Sequence, residues 1–165
     1  MQYMNKVFLL IGGNMGDRLQ NLHQAISLVE ATCGPVIQQS AVYETAAWGK
    51  TDQAAFLNQA LVLTTLLTPQ ELITTILSVE EQMGRRRMER NGPRVIDIDI
   101  IFYNDLVMHE PHLTIPHPQL QNRRFVLVPL VEIAPAYVHP VLHKSVTELL
   151  KECKDELAVE KLLIS

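Results

Sequence analysis

Cysteine is scarce in this 165-residue chain: only Cys33 and Cys153 occur, so neither a disulfide framework nor an all-cysteine zinc site can be built. Both read as core or surface bystanders. Long apolar runs are missing as well. The longest, Val7 to Ile11 and Phe125 to Val131, fall far short of the roughly 20 residues that a membrane span needs. No charged-apolar-small leader pattern opens the chain, so a cytoplasmic protein without a membrane partner is expected. Net positive charge is lacking too. The formal charge of −4 argues against a bulk nucleic-acid binder. No internal repeat, low-complexity tract or linker divides the chain, and its length and 47% apolar content suit one domain over residues 1–165.

What the chain does have is concentrated arginine. Seven of its eight arginines fall in Arg85 to Arg94 and in Arg123-Arg124, whereas the acidic residues are scattered. Such clustering in an acidic protein suits a small anion better than a long one. The first cluster, punctuated by Gly92-Pro93, runs into Val95-Ile96-Asp97-Ile98-Asp99-Ile100-Ile101-Phe102. That second half reads as a buried strand, on which Asp97 and Asp99 face one way and Ile96, Ile98 and Ile100 the other. Two carboxylates side by side are costly without a cation, and an oxygen pair suits Mg²⁺. Arginines beside a Mg²⁺ site point to polyphosphate.

Around this stretch the periodicity predicts an ordered series of elements. Lys6 to Ile11 is a strand, Gly12 to Asp17 a tight turn, and Leu19 to Val29 a helix ended by Gly34-Pro35. Val36 to Glu44 reads as one strand, Thr45 to Ala54 as a loop, and Phe56 to Leu66 as a third strand. Thr68-Pro69-Gln70-Glu71 opens a helix that should end near Gly84. After the aspartate strand, Asn104-Asp105 reads as a hairpin-like turn into Leu106 to His109. Pro111 to Pro118 is read as irregular, Arg124 to Ile133 and Ser145 to Cys153 as short helices, and the tail Lys154 to Lys161 as loosely held. Strand, helix, strand, strand, helix, strand is the ferredoxin-like α+β arrangement, a mainly antiparallel sheet with helices packed over it.

Single residues have bland readings beside the functional ones. The Gly12 to Asp17 turn lacks the Lys-Ser/Thr pair of a phosphate loop and reads as structural, bordering a site at most. His117, pinned between Pro116 and Pro118, is a surface turn histidine or a phosphate donor. Glu80 reads by itself as part of a solvated helix face, and Phe56 and Phe125 as core aromatics. Asn58, two residues along the strand from Phe56, could hydrogen-bond a flat ring stacked on that aromatic.

Taken together, Arg90-Asn91-Gly92-Pro93-Arg94-Val95-Ile96-Asp97-Ile98-Asp99-Ile100-Ile101 resembles the signature of the 6-hydroxymethyl-7,8-dihydropterin pyrophosphokinase family of folate biosynthesis. Ile11 to Asp17, Tyr43-Glu44-Thr45, Phe56 to Ala60, Ile115 to Pro118 and Phe125 to Pro135 extend the likeness over about residues 5 to 150. The resemblance implies transfer of pyrophosphate from MgATP to the pterin hydroxymethyl group, releasing AMP, by attack at the β-phosphorus. It implies two Mg²⁺ ions on Asp97 and Asp99, with Arg85, Arg87, Arg94, His117 and Arg123 on the phosphates. Arg85 and Arg94 would stabilise charge as the bond breaks. It also assigns Glu80, Ile100 and Thr114 to the nucleotide pocket. Thr45, Ala46, Trp48, Asn58 and Asp97 would meet the pterin, with Phe56 and Phe125 sandwiching its ring. The expected partners are ATP and the pterin, with no nucleic acid, and the expected state is a monomer or weak homodimer. Two departures stand out: the family usually has Trp where Asn91 stands and prolines where Ala46 and Ala47 stand.

Two rival readings compete. An RNA-binding ferredoxin-like module would need an aromatic strand motif that is absent. A two-metal nucleotidyltransferase or nuclease would usually add a third carboxylate from a neighbouring strand, for which Glu80 is poorly placed.

Overall fold

Alternating apolar residues on both faces make β1 (Asn5–Gly13) a central strand, and the rest of the molecule is laid around it. The computed structural model describes residues 4–46, 54–84 and 94–163. Trp48, Arg85, Arg87 and Asn91 therefore lie outside the described residues. β1 pairs antiparallel with β4 (Phe56–Thr65) on one side and β5 (Asp97–Tyr103) on the other. Beyond β4 lie β2 (Val36–Gln39) and β3 (Tyr43–Thr45), and β8 (Val159–Lys161) closes the far edge against β3. Every pairing among these strands is antiparallel.

Val7, Leu9 and Ile11 face a core shared with α1 (Arg18–Thr32) and α2 (Pro69–Gln82). Phe8 and Leu10 face the opposite core, built with α3 (Arg124–Ile133) and α4 (Val146–Glu152). Helices thus cover both faces of a ferredoxin-like α+β sheet. Their ends are set locally: Thr68 Oγ1 accepts from the Glu71 N–H at 3.1 Å while the Glu71 carboxylate accepts from the Thr68 N–H at 2.9 Å. Among the described residues no helix is long and apolar enough to cross a membrane.

The sequence-based expectations need correction in four places. The strand expected over Val36 to Glu44 breaks in two at Ser40. Its Oγ accepts from the Ala60 N–H at 2.9 Å, standing in for a ladder carbonyl, and the next N–H, of Ala41, turns to the Glu132 carboxylate at 2.9 Å. Asn104-Asp105 is a turn but not a hairpin: Asn104 bonds back to Lys6 of β1 through its N–H and Oδ1. β6 (Met108–Glu110) instead pairs with β7 (Leu113–Ile115), which lies within the stretch read as irregular. The tail is not loose where β8 bonds to β3, an edge that would otherwise leave backbone groups unpaired.

Candidate active site

Register places the site. Gly12 stands between Asn58 on β4 and Asp97 on β5, and Leu10 stands opposite Asp99. Because β1 sends Phe8, Leu10 and Gly12 to one face, Asn58, Asp97 and Asp99 share that face, the one covered by α3 and α4. Phe56, two residues before Asn58, lies there as well. The helices stop short of this end of the sheet, leaving a cleft floored by Leu10, Gly12, Phe56, Asn58, Asp97 and Asp99. Thr45 and Ala46 form one wall, Arg94 another, and Arg123 and Phe125 at the start of α3 lean over it. The Arg123 guanidinium sits 5.8 Å from the Phe125 ring centre.

Gly12 is required here by close approach. A Cβ at this position would lie 2.1 Å from Asn58 Oδ1 and 2.8 Å from the Leu57 carbonyl. Thr45 is 3% exposed, yet its Oγ1 has no hydrogen-bond partner among the described residues. A buried hydroxyl left unpaired is costly and asks for a ligand or water.

The two aspartates are in electrostatic conflict. Burial first, then Asp97 and Glu80, push the Asp99 carboxyl up to about 8, against the opposing pull of Arg123 and Arg94. Arg94 Nη1 donates to Asp97 Oδ2 at 3.1 Å. His117 is held by backbone: its N–H donates to the Ile101 carbonyl at 3.0 Å, and its Nδ1 accepts from the Gln119 N–H at 3.1 Å. Burial, then Arg123, bring its imidazole down to about 4, with Asp97 opposing. A neutral ring whose Nδ1 is an acceptor carries its proton on Nε2.

Nine of the residues singled out in the sequence therefore line one cleft. Four others do not. Glu80 is buried rather than on a solvated face, and its Oε2 accepts from the Ile98 N–H at 2.7 Å, tying α2 to β5. Ile100 points into the opposite core, Thr114 lies on β7, and His117 follows the cis Ile115-Pro116 bond outside the lining. Leu10 and Gly12 complete the lining without having been given a role from the sequence. Gly12 belongs to the turn read as structural and bordering a site, and its signal was adjacency to a strand end.

A paired-carboxylate, arginine-walled cleft with aromatic sides on a ferredoxin-like sheet belongs to an enzyme that moves phosphate groups onto a small molecule. The family model for 7,8-dihydro-6-hydroxymethylpterin-pyrophosphokinase matches residues 8–135, and the chain belongs to that family. The 2-amino-4-hydroxy-6-hydroxymethyldihydropteridine pyrophosphokinase of Aquifex aeolicus is 42% identical over 153 residues, covering 93% of this chain and 92% of the relative. Its counterpart in Synechocystis is 42% identical over 143 residues, 86% of this chain and 73% of that one. In the folic acid synthesis protein of Dictyostelium discoideum, 43% identical over 139 residues, the match spans 21% of the longer protein. A wild-type Plasmodium falciparum HPPK-DHPS crystal structure superposes with a TM-score of 0.77 over 92% of this chain and 45% of that one, at 20% identity, which speaks for the fold. The chain is a pyrophosphokinase of folate biosynthesis, with ATP as co-substrate. Its reaction passes pyrophosphate from ATP to the hydroxymethyl group of 6-hydroxymethyl-7,8-dihydropterin and releases AMP.

Proposed function

We propose that this cleft holds both substrates, the pterin over Phe56 and Asn58 and the triphosphate over Asp97, Asp99 and the arginines. The buried Thr45 hydroxyl, without a partner among the described residues, carries the pterin half of this reading. It lines the same cleft as Asn58, Phe56 and Phe125, so a flat heterocycle would find hydrogen-bonding groups at its edge and an aromatic side chain on each face. Ala46 and Trp48 complete the pterin set, and Asp97 stands between the two halves. On the nucleotide side, Arg94, Arg123 and the Nε2–H of His117 donate to phosphate oxygens, with Arg85 and Arg87 joining them. Glu80, Ile100 and Thr114 take the nucleotide end. None of the three lines the cleft: Glu80 and Ile100 contribute through β5, which the first holds and the second belongs to, and Thr114 contributes from β7.

The donor set also fits Mg²⁺. Two aspartates on one strand face, one pushed up to about 8 by burial first and then by its acidic neighbours, are the conflict that a divalent cation relieves, and Mg²⁺ takes one or two carboxylates plus substrate phosphates. Asp97 and Asp99 would hold two such ions, which supply charge neutralisation and acidify the attacking hydroxyl.

The remaining chemistry is positioning. A bond forms between the hydroxymethyl oxygen and the β-phosphorus while the bond to the α-phosphate oxygen breaks; AMP leaves with that oxygen, and the hydroxyl proton passes to solvent. Arg94, Arg123 and Arg85 meet the charge that grows on the leaving and equatorial oxygens. Holding the two reactants in line supplies much of the rate.

The test is product analysis with purified protein. AMP formed from ATP only when 6-hydroxymethyl-7,8-dihydropterin is present supports this reading. Release of inorganic pyrophosphate would mean nucleotidyl transfer instead.

A further inference from the structure

Asn14 follows β1 in the turn toward α1, and it is 5% exposed. Among the described residues its amide reaches in two directions. Oδ1 accepts from the Arg94 N–H at 3.0 Å, and Nδ2 donates to the Ala54 carbonyl at 3.0 Å. The Asn14 N–H adds a third bond, to the Arg94 carbonyl at 3.0 Å. The chain here is drawn in so tightly that a Cβ on neighbouring Gly13 would lie 2.2 Å from the Val95 carbonyl.

The two segments held by this amide border opposite halves of the site. Arg94 puts its guanidinium against Asp97, on the phosphate side. Ala54 leads into Phe56 and Asn58, on the pterin side. Only a carboxamide offers an acceptor to one backbone and a donor to another from a single short side chain. Aspartate would keep the acceptor and lose the donor. Alanine would lose both.

We infer that Asn14 is a positioning residue that sets the separation between Arg94 and the Phe56–Asn58 wall, and so between the two reacting groups. The inference rests on the assignment proposed above, and it predicts that the two arms of the amide act on different kinetic constants. The arm to Arg94 governs turnover, because it fixes a group that meets the phosphates. The arm to Ala54 governs pterin KM, because it fixes the wall of the ring pocket.

The experiment measures AMP formation, with kcat and both KM values, for the wild type, Asn14→Ala, Asn14→Asp, Arg94→Ala and the Asn14→Ala/Arg94→Ala double variant. Melting curves of each accompany the kinetics. Asn14→Ala should lower kcat on the order of 10²-fold, the scale of an ångström-sized misplacement at a reacting centre. Asn14→Asp should keep kcat within about fivefold of wild type and raise pterin KM about tenfold, by placing an oxygen against the Ala54 carbonyl. In the Arg94→Ala background, losing the Asn14 amide should change kcat by no more than about threefold, since both substitutions act through one guanidinium. Additive losses in kcat, or Asn14→Asp losing as much kcat as Asn14→Ala, would overturn the role of Asn14. If Asn14→Ala does not fold, Asn14→Asp decides alone: a raised pterin KM with kcat kept supports the role, and any other pattern removes it. A wild type without pterin-dependent AMP formation would overturn the underlying assignment instead.

Discussion

Gly12→Ala tests the close packing beneath the proposed pterin pocket. The new Cβ would sit 2.1 Å from Asn58 Oδ1, 3.1 Å from Asn58 Cγ and 2.8 Å from the Leu57 carbonyl. The first two contacts are with a side chain and can be relieved by swinging the Asn58 amide aside. The third is with the backbone of β4 and cannot be relieved without moving the strand. Two effects should therefore separate. Overpacking should cost about 1–3 kcal/mol of stability, or a Tm lower by about 2–12 °C for a chain of this size. Displacing Asn58 should remove hydrogen bonds to the ring worth about 1–3 kcal/mol in all, weakening pterin binding by roughly fivefold to 150-fold. Calorimetric titration with the pterin, in the presence of Mg²⁺ and a non-hydrolysable ATP analogue, reads the second effect, while binding of the analogue alone should stay near wild type. In an Asn58→Ala background the affinity loss should vanish, while the part of the stability loss that comes from Leu57 persists. A folded Gly12→Ala protein that binds the pterin within about twofold of wild type would show that Asn58 does not hold the ring.

Three further perturbations follow from the structure. Thr45→Val removes a buried hydroxyl that has no partner among the described residues, so it should raise stability by about 1 kcal/mol while weakening pterin binding about tenfold; denaturant melts and calorimetry read the two, and unchanged affinity would remove Thr45 from the pocket. Glu160 on β8 stands opposite Glu44, whose carboxylate already meets Arg18 at 2.7 Å. Glu160→Lys should replace a like-charge pair and gain about 0.2–1 kcal/mol, shrinking with added salt, whereas a loss would show that the edge pairing is misread. His139 is buried, and its Nδ1 accepts from the N–H groups of Val141 and Leu142 at 3.1 and 3.0 Å; burial, then His143, lower its pKa. The unfolded chain therefore takes up this proton near pH 6.5 before the folded one does, and stability falls as pH drops below that, by at most about 1.4 kcal/mol per unit for one proton. His139→Asn keeps an acceptor and cannot titrate, so urea melts between pH 6.5 and 5 should show a shallower slope; an unchanged slope would contradict this.

The local signals were legible in the sequence because their causes are local. Thr68 and Glu71 announce the start of α2 three residues apart, and the Asp97/Asp99 alternation fixes a face by strand geometry alone. The break at Ser40 was not legible, because it depends on Glu132, distant in sequence, taking the Ala41 N–H. The same is true of β7 and β8, short strands with little apolar alternation that exist because β6 and the edge of β3 pair with them. Glu80 reads as surface on helical periodicity, and only the arrival of the Ile98 N–H shows why a carboxylate is buried there. Gly12 carries no side chain to interpret, and its place between Asn58 and Asp97 is a matter of register across three strands.

The most direct test of the account is a crystal structure of the chain with 6-hydroxymethyl-7,8-dihydropterin, Mg²⁺ and a non-hydrolysable ATP analogue. The pterin ring should lie between Phe56 and Phe125 with Thr45 and Asn58 at its edge, metal ions on Asp97 and Asp99, and Arg94 on the phosphates. A ring bound elsewhere, or metal held without either aspartate, would contradict it.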